Sequence, residues 1–145
     1  MPETAREPVH VFPVRVYYED TDAAGIVYYA NYLKFAERAR TELLREHGIS
    51  NRALQEKDGV AFAVRRLSAE YLAPARLDDR LEVRTRITGL HGAAIEAQQD
   101  VVREGRDLAR LTLTLACVAR TGRPTRLPAA VVAAFESGGR KRSVI

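Results

Sequence analysis

The chain contains one cysteine and no tryptophan in 145 residues. A single thiol excludes any intramolecular disulfide, so the fold must be held by its core. Cys117 stands in the run LTLTLACVAR, which reads as an apolar strand with an inert buried thiol. That suits a reducing compartment, and a cytoplasmic protein is expected. No apolar run approaches the roughly 20 residues that a membrane-spanning helix needs. The first eight residues, MPETAREP, lack the apolar stretch of a signal peptide. Histidine occurs only as His10, His47 and His91. None is adjacent in sequence to the turn described below, metal-ligand spacing is absent, and no Ser-His-Asp triad is evident, so neither metal nor cofactor is expected. Charge is nearly balanced, with 23 basic and 19 acidic residues giving +4. Much of the excess lies in Arg140, Lys141 and Arg142, and the basic regions lack the interleaved aromatics that stack on nucleic-acid bases. Internal repeats and low-complexity linkers are missing as well. The expectation is one domain over 9–138, between a disordered leader (1–8) and a solvated basic tail (139–145).

What is present is a strong periodic pattern. Residues 9–18 read as a strand with Val14, Val16 and Tyr18 on one face, and Pro13 marks an edge or a bulge. Over 31–47, Tyr32, Phe35, Ala36, Ala39, Leu43 and Leu44 recur at helical spacing, and Gly48 is placed to end that helix. Residues 49–59 read as a linker with one short helical turn. Four β segments follow, near 60–72, 80–90, 93–103 and 108–120. Alternation is clearest in Leu81, Val83, Thr85 and Ile87 against Glu82, Arg84 and Arg86. His91-Gly92 and Glu104-Gly105 read as hairpin breaks, and Pro128 suits the first turn of a short C-terminal helix. This order predicts an α+β domain, an antiparallel sheet around one long helix. One helix leaves sheet edges uncovered, which predicts oligomerisation.

The densest chemistry lies in RVYYEDTDAAGIVYYANY, residues 15–32. Glu19, Asp20 and Asp22 crowd a turn, Gly25 lets the backbone bend, and Asn31 opens the helix as a cap or a loop tether, capping being the favoured role. The pattern brings a carboxylate beside the free N–H groups of a helix start, which stabilise negative charge. An acyl-transfer site is one reading; a turn carboxylate bonded to its own backbone is the other.

The same residues carry a resemblance. Arg15-Val16, Thr21-Asp22, Gly25-Ile26-Val27-Tyr28 and Tyr32 resemble the signature of the 4-hydroxybenzoyl-CoA thioesterase family, which has the hotdog fold. The stretches 13–42, 61–66 and 70–79 resemble most its bacterial branch of acyl-CoA thioesterases associated with the Tol–Pal system. The resemblance implies an acyl-CoA substrate of short aliphatic or aromatic type, with Asp22 as catalytic nucleophile or general base. It implies the Tyr29 backbone N–H as oxyanion donor. Thr21, Gly25 and Asn31 would support the turn and helix start. Tyr28, Val64 and Arg66 would bind substrate, the last two by reaching a neighbouring protomer's site in a dimer or dimer of dimers. Many relatives of that branch have histidine where this chain has Tyr29; a backbone role survives either side chain. Glu37 falls where benzoyl-type relatives place an acid near the aromatic hydroxyl, and here reads as exposed or ion-paired. Arg65, Arg66, Arg84, Arg86 and Arg123 are candidates for the coenzyme phosphates without an assignment among them. An acyl carrier protein is a second possible thioester donor. Two rival functions stay open: a non-catalytic acyl-carrier or envelope-associated binding module, and a hotdog dehydratase, which generally needs a histidine that this turn lacks.

Overall fold

The computed structural model describes residues 9–136. The expected leader and basic tail, 1–8 and 139–145, lie outside them. Alternating apolar residues build five strands among the described residues: β1 (His10–Arg15), β2 (Val60–Tyr71), β3 (Arg80–His91), β4 (Ala94–Arg103) and β5 (Arg106–Ala119). They form one antiparallel sheet in the order β1-β3-β4-β5-β2. The long helix α1 (Asn31–Arg45) packs on one face of it. A three-residue turn of helix, α2 (Asn51–Ala53), widens into a looser turn over Leu54–Asp58, and α3 (Ala129–Glu136) closes the described chain.

The register explains which side chains face α1. Leu81, Val83 and Thr85 on β3, and Leu111, Leu113, Leu115 and Cys117 on β5, are buried. Between them, Glu82, Arg84 and Arg86 point to the opposite face, where Arg84 pairs with Glu82 and Arg86 with Asp100. Phe35, Ala39 and Leu43 on α1 are completely buried. Burying a side chain such as Phe35 contributes about 1.5–3 kcal/mol. Removing Phe35 would therefore open the core directly behind the start of α1.

The first strand is shorter than its sequence suggests. It leaves the ladder after Arg15, and Tyr18–Asp20 form a tight turn. Val16 still exchanges main-chain bonds with Asp78 and Asp79, and the Asp20 carboxylate then accepts the Tyr17 N–H at 2.8 Å, folding the chain into that turn. Tyr18, expected on the apolar face, is 83% exposed as a result. Helix α1 also stops early, at Arg45, because Gly48 takes φ +76°. The Ile49 N–H then returns to the Leu44 carbonyl at 3.0 Å, closing the last turn. The β4–β5 hairpin turns on Glu104 and Gly105, both at positive φ.

Both edges of the sheet differ from its centre. β1 carries Pro13 at the outer edge, where a missing N–H costs no ladder bond. β2 is exposed over most of its length, with Val64 at 50% and Leu67 at 36%, and its pairing with β5 slips between Val64 and Arg66.

Candidate active site

The polypeptide between β1 and α1 is fixed by main-chain and short side-chain bonds. Asp20 is its anchor. Besides binding Tyr17, its carbonyl oxygen accepts the Tyr28 N–H at 3.0 Å and the Asn31 side-chain amide at 2.8 Å. Thr21 faces Val27 across an isolated bridge and donates its hydroxyl to the Tyr18 carbonyl at 2.8 Å. The next residues close a tight turn: Asp22 N–H donates to Ile26 O at 2.9 Å, and Gly25 N–H donates to Asp22 O at 3.0 Å. Gly25 sits at φ +80°, where a side chain would be strained. The turn is then pinned to the β2–β3 connection by Val27 N–H on Ala75 O at 2.8 Å, with Ile26 beside Arg76.

Asp22 projects from this turn into solvent. Its Oδ1 accepts the Ala24 N–H at 2.8 Å, and its Oδ2 has no hydrogen-bond partner among the described residues. One carboxylate oxygen is therefore held while the other stays available. At the start of α1, the N–H groups of Tyr29 and Ala30 likewise have no partner among the described residues. Unpaired N–H groups at a helix start form an anion-binding position with the helix dipole behind it.

Asn31 departs from the expected cap. Ala30 occupies the cap position without a side-chain cap bond, and Asn31 is already helical. Its amide tethers the turn instead, because the Asp20 carbonyl lies within reach of the first helical side chain.

A line of aromatic rings lies against the helix start. Tyr28 and Tyr29 have ring centroids 4.9 Å apart, Tyr29 and Tyr71 6.0 Å, Tyr71 and Tyr32 5.5 Å, and Tyr32 and Phe35 6.1 Å. Tyr32 is buried, as its helical spacing implies, and its hydroxyl oxygen accepts the Ala75 N–H at 3.1 Å. Tyr71 donates its hydroxyl to the Tyr29 carbonyl at 3.2 Å. Burial, and secondarily Tyr29, push the Tyr71 pKa up, so it remains a protonated donor. Its position in sequence, the last residue of an edge strand, gave no signal of this contact.

Val64 and Arg66 do not join the turn within one protomer. They lie seven and five residues from Tyr71 on β2, so about 23 and 16 Å along the strand. Val64 instead borders a cavity of about 270 Å³ beside the later turns of α1, together with Glu37, Arg40, Thr41 and Phe62. Glu37 is exposed there. Beneath the cavity runs a polar network that the periodic pattern concealed. Arg40 donates to Gln99 Oε1 at 2.9 Å, and Gln99 Nε2 donates to the Ala36 carbonyl and to Thr85 Oγ1, both at 2.9 Å. Gln99 and Thr85 are completely buried, and burial lowers the Arg40 pKa. The three histidines lie away from the turn. His10 bonds Glu46 and His47 bonds the Leu43 carbonyl, both at the end of α1, and His91 is beside Glu96 at the β3–β4 hairpin.

A sheet curled over one long helix, with a carboxylate turn leading into the helix start, defines a hotdog fold of the thioesterase type. Residues 16–135 match the thioesterase-like superfamily, and the chain belongs to that superfamily. An acyl-CoA thioester hydrolase, YbgC, of Escherichia coli O6:H1 is 48% identical over 127 residues, covering 86% of this chain and 94% of that protein. The acyl-CoA thioesterase YbgC of Haemophilus influenzae is 46% identical over 125 residues, covering 86% and 92%. Among solved structures, a probable thioesterase from Bartonella henselae superposes with a TM-score of 0.80 at 37% identity, covering 83% of this chain and 99% of that one.

Proposed function

We propose that the protein hydrolyses the thioester of a short-chain aliphatic or aromatic acyl-CoA to the free acid and coenzyme A. Asp22 serves as nucleophile or general base, and the Tyr29 N–H at the start of α1 is the oxyanion donor. One observation carries this reading: a carboxylate with a free oxygen stands in the turn that leads directly to two unpaired helix-start N–H groups. The identity to acyl-CoA thioester hydrolases supports the substrate class.

When the thioester carbonyl is attacked, negative charge grows on its oxygen, and an N–H already aimed outward receives that charge without reorganising. Along one route the Asp22 carboxylate adds to the carbonyl carbon and the coenzyme A thiolate leaves. Water then hydrolyses the resulting anhydride. Along the other, Asp22 takes a proton from water as its oxygen adds to the carbonyl carbon, and the thiolate leaves and is protonated. Both routes consume one water and need an ionised carboxylate at position 22. Thr21, Gly25 and Asn31 hold the turn against the helix start, and Tyr28 lines the entrance.

The site in a single protomer is open, with the Tyr29 side chain 60% exposed. We assign a homodimer, alone or paired into a tetramer, built along the exposed edge of β2. Antiparallel pairing about a two-fold axis sets the Val60 end of one β2 beside the Tyr71 end of the other. That geometry carries Val64 and Arg66 toward the facing copy's turn, which their own protomer does not do. The buried thiol of Cys117 suits a reducing cytoplasm. Among the described residues, no helix is long and apolar enough to cross a membrane.

The test is Asp22→Asn assayed on acetyl-, hexanoyl- and benzoyl-CoA. Asparagine retains the oxygen that accepts the Ala24 N–H, so the variant should melt like the wild type. Its kcat should fall roughly 10²- to 10⁴-fold, the usual range for loss of a general base. A folded variant turning over at the wild-type rate would remove Asp22 from the reaction.

A further inference from the structure

We infer that Tyr71 is a positioning residue for the helix start that carries the Tyr29 N–H oxyanion donor, acting through the Tyr29 carbonyl. The inference rests on the assignment of Asp22 and the helix start as the thioester site. Tyr29 precedes the cap of α1, and the main-chain bonds there run from Asn31 N–H to Tyr28 O at 2.8 Å and from Leu33 N–H to Ala30 O at 3.1 Å, passing over the Tyr29 carbonyl. The Tyr29 carbonyl is therefore outside the helix ladder, and the Tyr71 hydroxyl at 3.2 Å is its hydrogen-bond donor.

That carbonyl belongs to the peptide group whose N–H is Ala30's. Accepting a hydrogen bond at the oxygen polarises the same group and strengthens its N–H as a donor. It also restricts rotation between Tyr29 and Ala30, so the two unpaired N–H groups keep one relative orientation. Orientation matters here because misplacing a catalytic group by about 1 Å can cost about 10²-fold in rate.

Tyr71 is itself held. Its ring meets Tyr29 edge-on, with an interplanar angle of 83°, and leans on Tyr32 at 53°. Tyr32 is buried and accepts the Ala75 N–H, while the Ala75 carbonyl accepts Val27 N–H. A closed path thus runs from the carboxylate turn at Val27, through Ala75, Tyr32 and Tyr71, to the carbonyl of Tyr29. It joins the turn to the helix start by a second route, separate from the Asp20–Asn31 tether.

The experiment is Tyr71→Phe, which keeps the ring and removes the hydroxyl, compared with the wild type on acetyl-, hexanoyl- and benzoyl-CoA. The expected result is a five- to tenfold fall in kcat, equal for all three substrates, with KM within twofold and Tm unchanged. Equality across acyl groups is the signature, because the oxyanion is common to every thioester whereas a pocket wall discriminates among acyl chains. Wild-type kcat, or a change confined to KM or to one substrate, would overturn the inference. Asp22→Asn is run in parallel. If that variant remains fully active, the assignment of the site has failed; if it is inactive while Tyr71→Phe is unaffected, only the role of Tyr71 has failed.

Discussion

The side-chain amide of Asn31 donates to the main-chain carbonyl of Asp20 at 2.8 Å. This bond joins the first residue of the long helix to the turn that precedes Asp22. The Tyr28 N–H uses the same carbonyl, so Asp20 receives two donors from the helix side. The separation between the Asp22 carboxylate and the helix-start N–H groups is thereby set by a few local bonds, not by burial of either group.

Replacing Asn31 by alanine should loosen that tether. One hydrogen bond contributes about 1 kcal/mol net, and a 1.36 kcal/mol loss of transition-state stabilisation is tenfold in rate. Asn31→Ala should lower kcat about three- to tenfold and Tm by a few degrees. Steady-state kinetics and thermal melting check both.

The β2 edge offers a test of assembly. Leu67 is 36% exposed and Val64 50% exposed, so a charge at Leu67 leaves the protomer's core intact. Leu67→Lys should yield a folded protein of lower mass by light scattering. It should also lose turnover, because an unpaired β2 leaves the turn open to solvent.

Gln99 is the polar centre of the core, bonded to Arg40, Ala36 and Thr85. Gln99→Leu preserves approximate size but leaves the Arg40 guanidinium without its acceptor and the Ala36 carbonyl without its side-chain donor. Stranding buried polar groups costs about 1–3 kcal/mol each, and more for charged ones. Urea denaturation should show a loss of about 2–4 kcal/mol.

Alkaline pH should destabilise the fold through its buried acids. Burial raises the Tyr32 pKa above the ordinary 10.0 and the Cys117 pKa above 9.0. A group whose folded value is raised contributes stability that is fully present below the unfolded value. That stability is lost as pH rises through the folded value. Melting temperatures should therefore hold up to about pH 9 and fall beyond it. The fall above pH 10 should be shallower in Tyr32→Phe, and comparing melts of the two proteins from pH 8 to pH 11 reads this directly.

Much of the architecture was legible from residue order. Side chains alternate along a strand and recur every 3.6 residues along a helix, so Leu81, Val83 and Thr85, or Phe35, Ala39 and Leu43, declare the face they bury. Where a side chain competes for the backbone, that pattern misleads. Asp20 accepts the Tyr17 N–H and folds the residues after β1 into a turn, and Thr85 and Gln99 occupy inward phases as a hydrogen-bonded pair. The resemblance that names Asp22 and Tyr29 is likewise written in consecutive residues.

The elements, the carboxylate turn and the helix that follows it are set by residue order, because turn chemistry and periodicity act over a few residues. What meets that turn depends on the folding of distant strands around it. Tyr71 is 42 positions from Tyr29 and reaches its carbonyl because β2 ends beside the helix start. Val64 and Arg66, on the same strand, lie seven and five residues from Tyr71 and do not meet that turn. Asn31 exchanged a cap for a tether because the Asp20 carbonyl lies within its reach. Such partnerships depend on the path of the chain in space, and local propensity carries no record of that path.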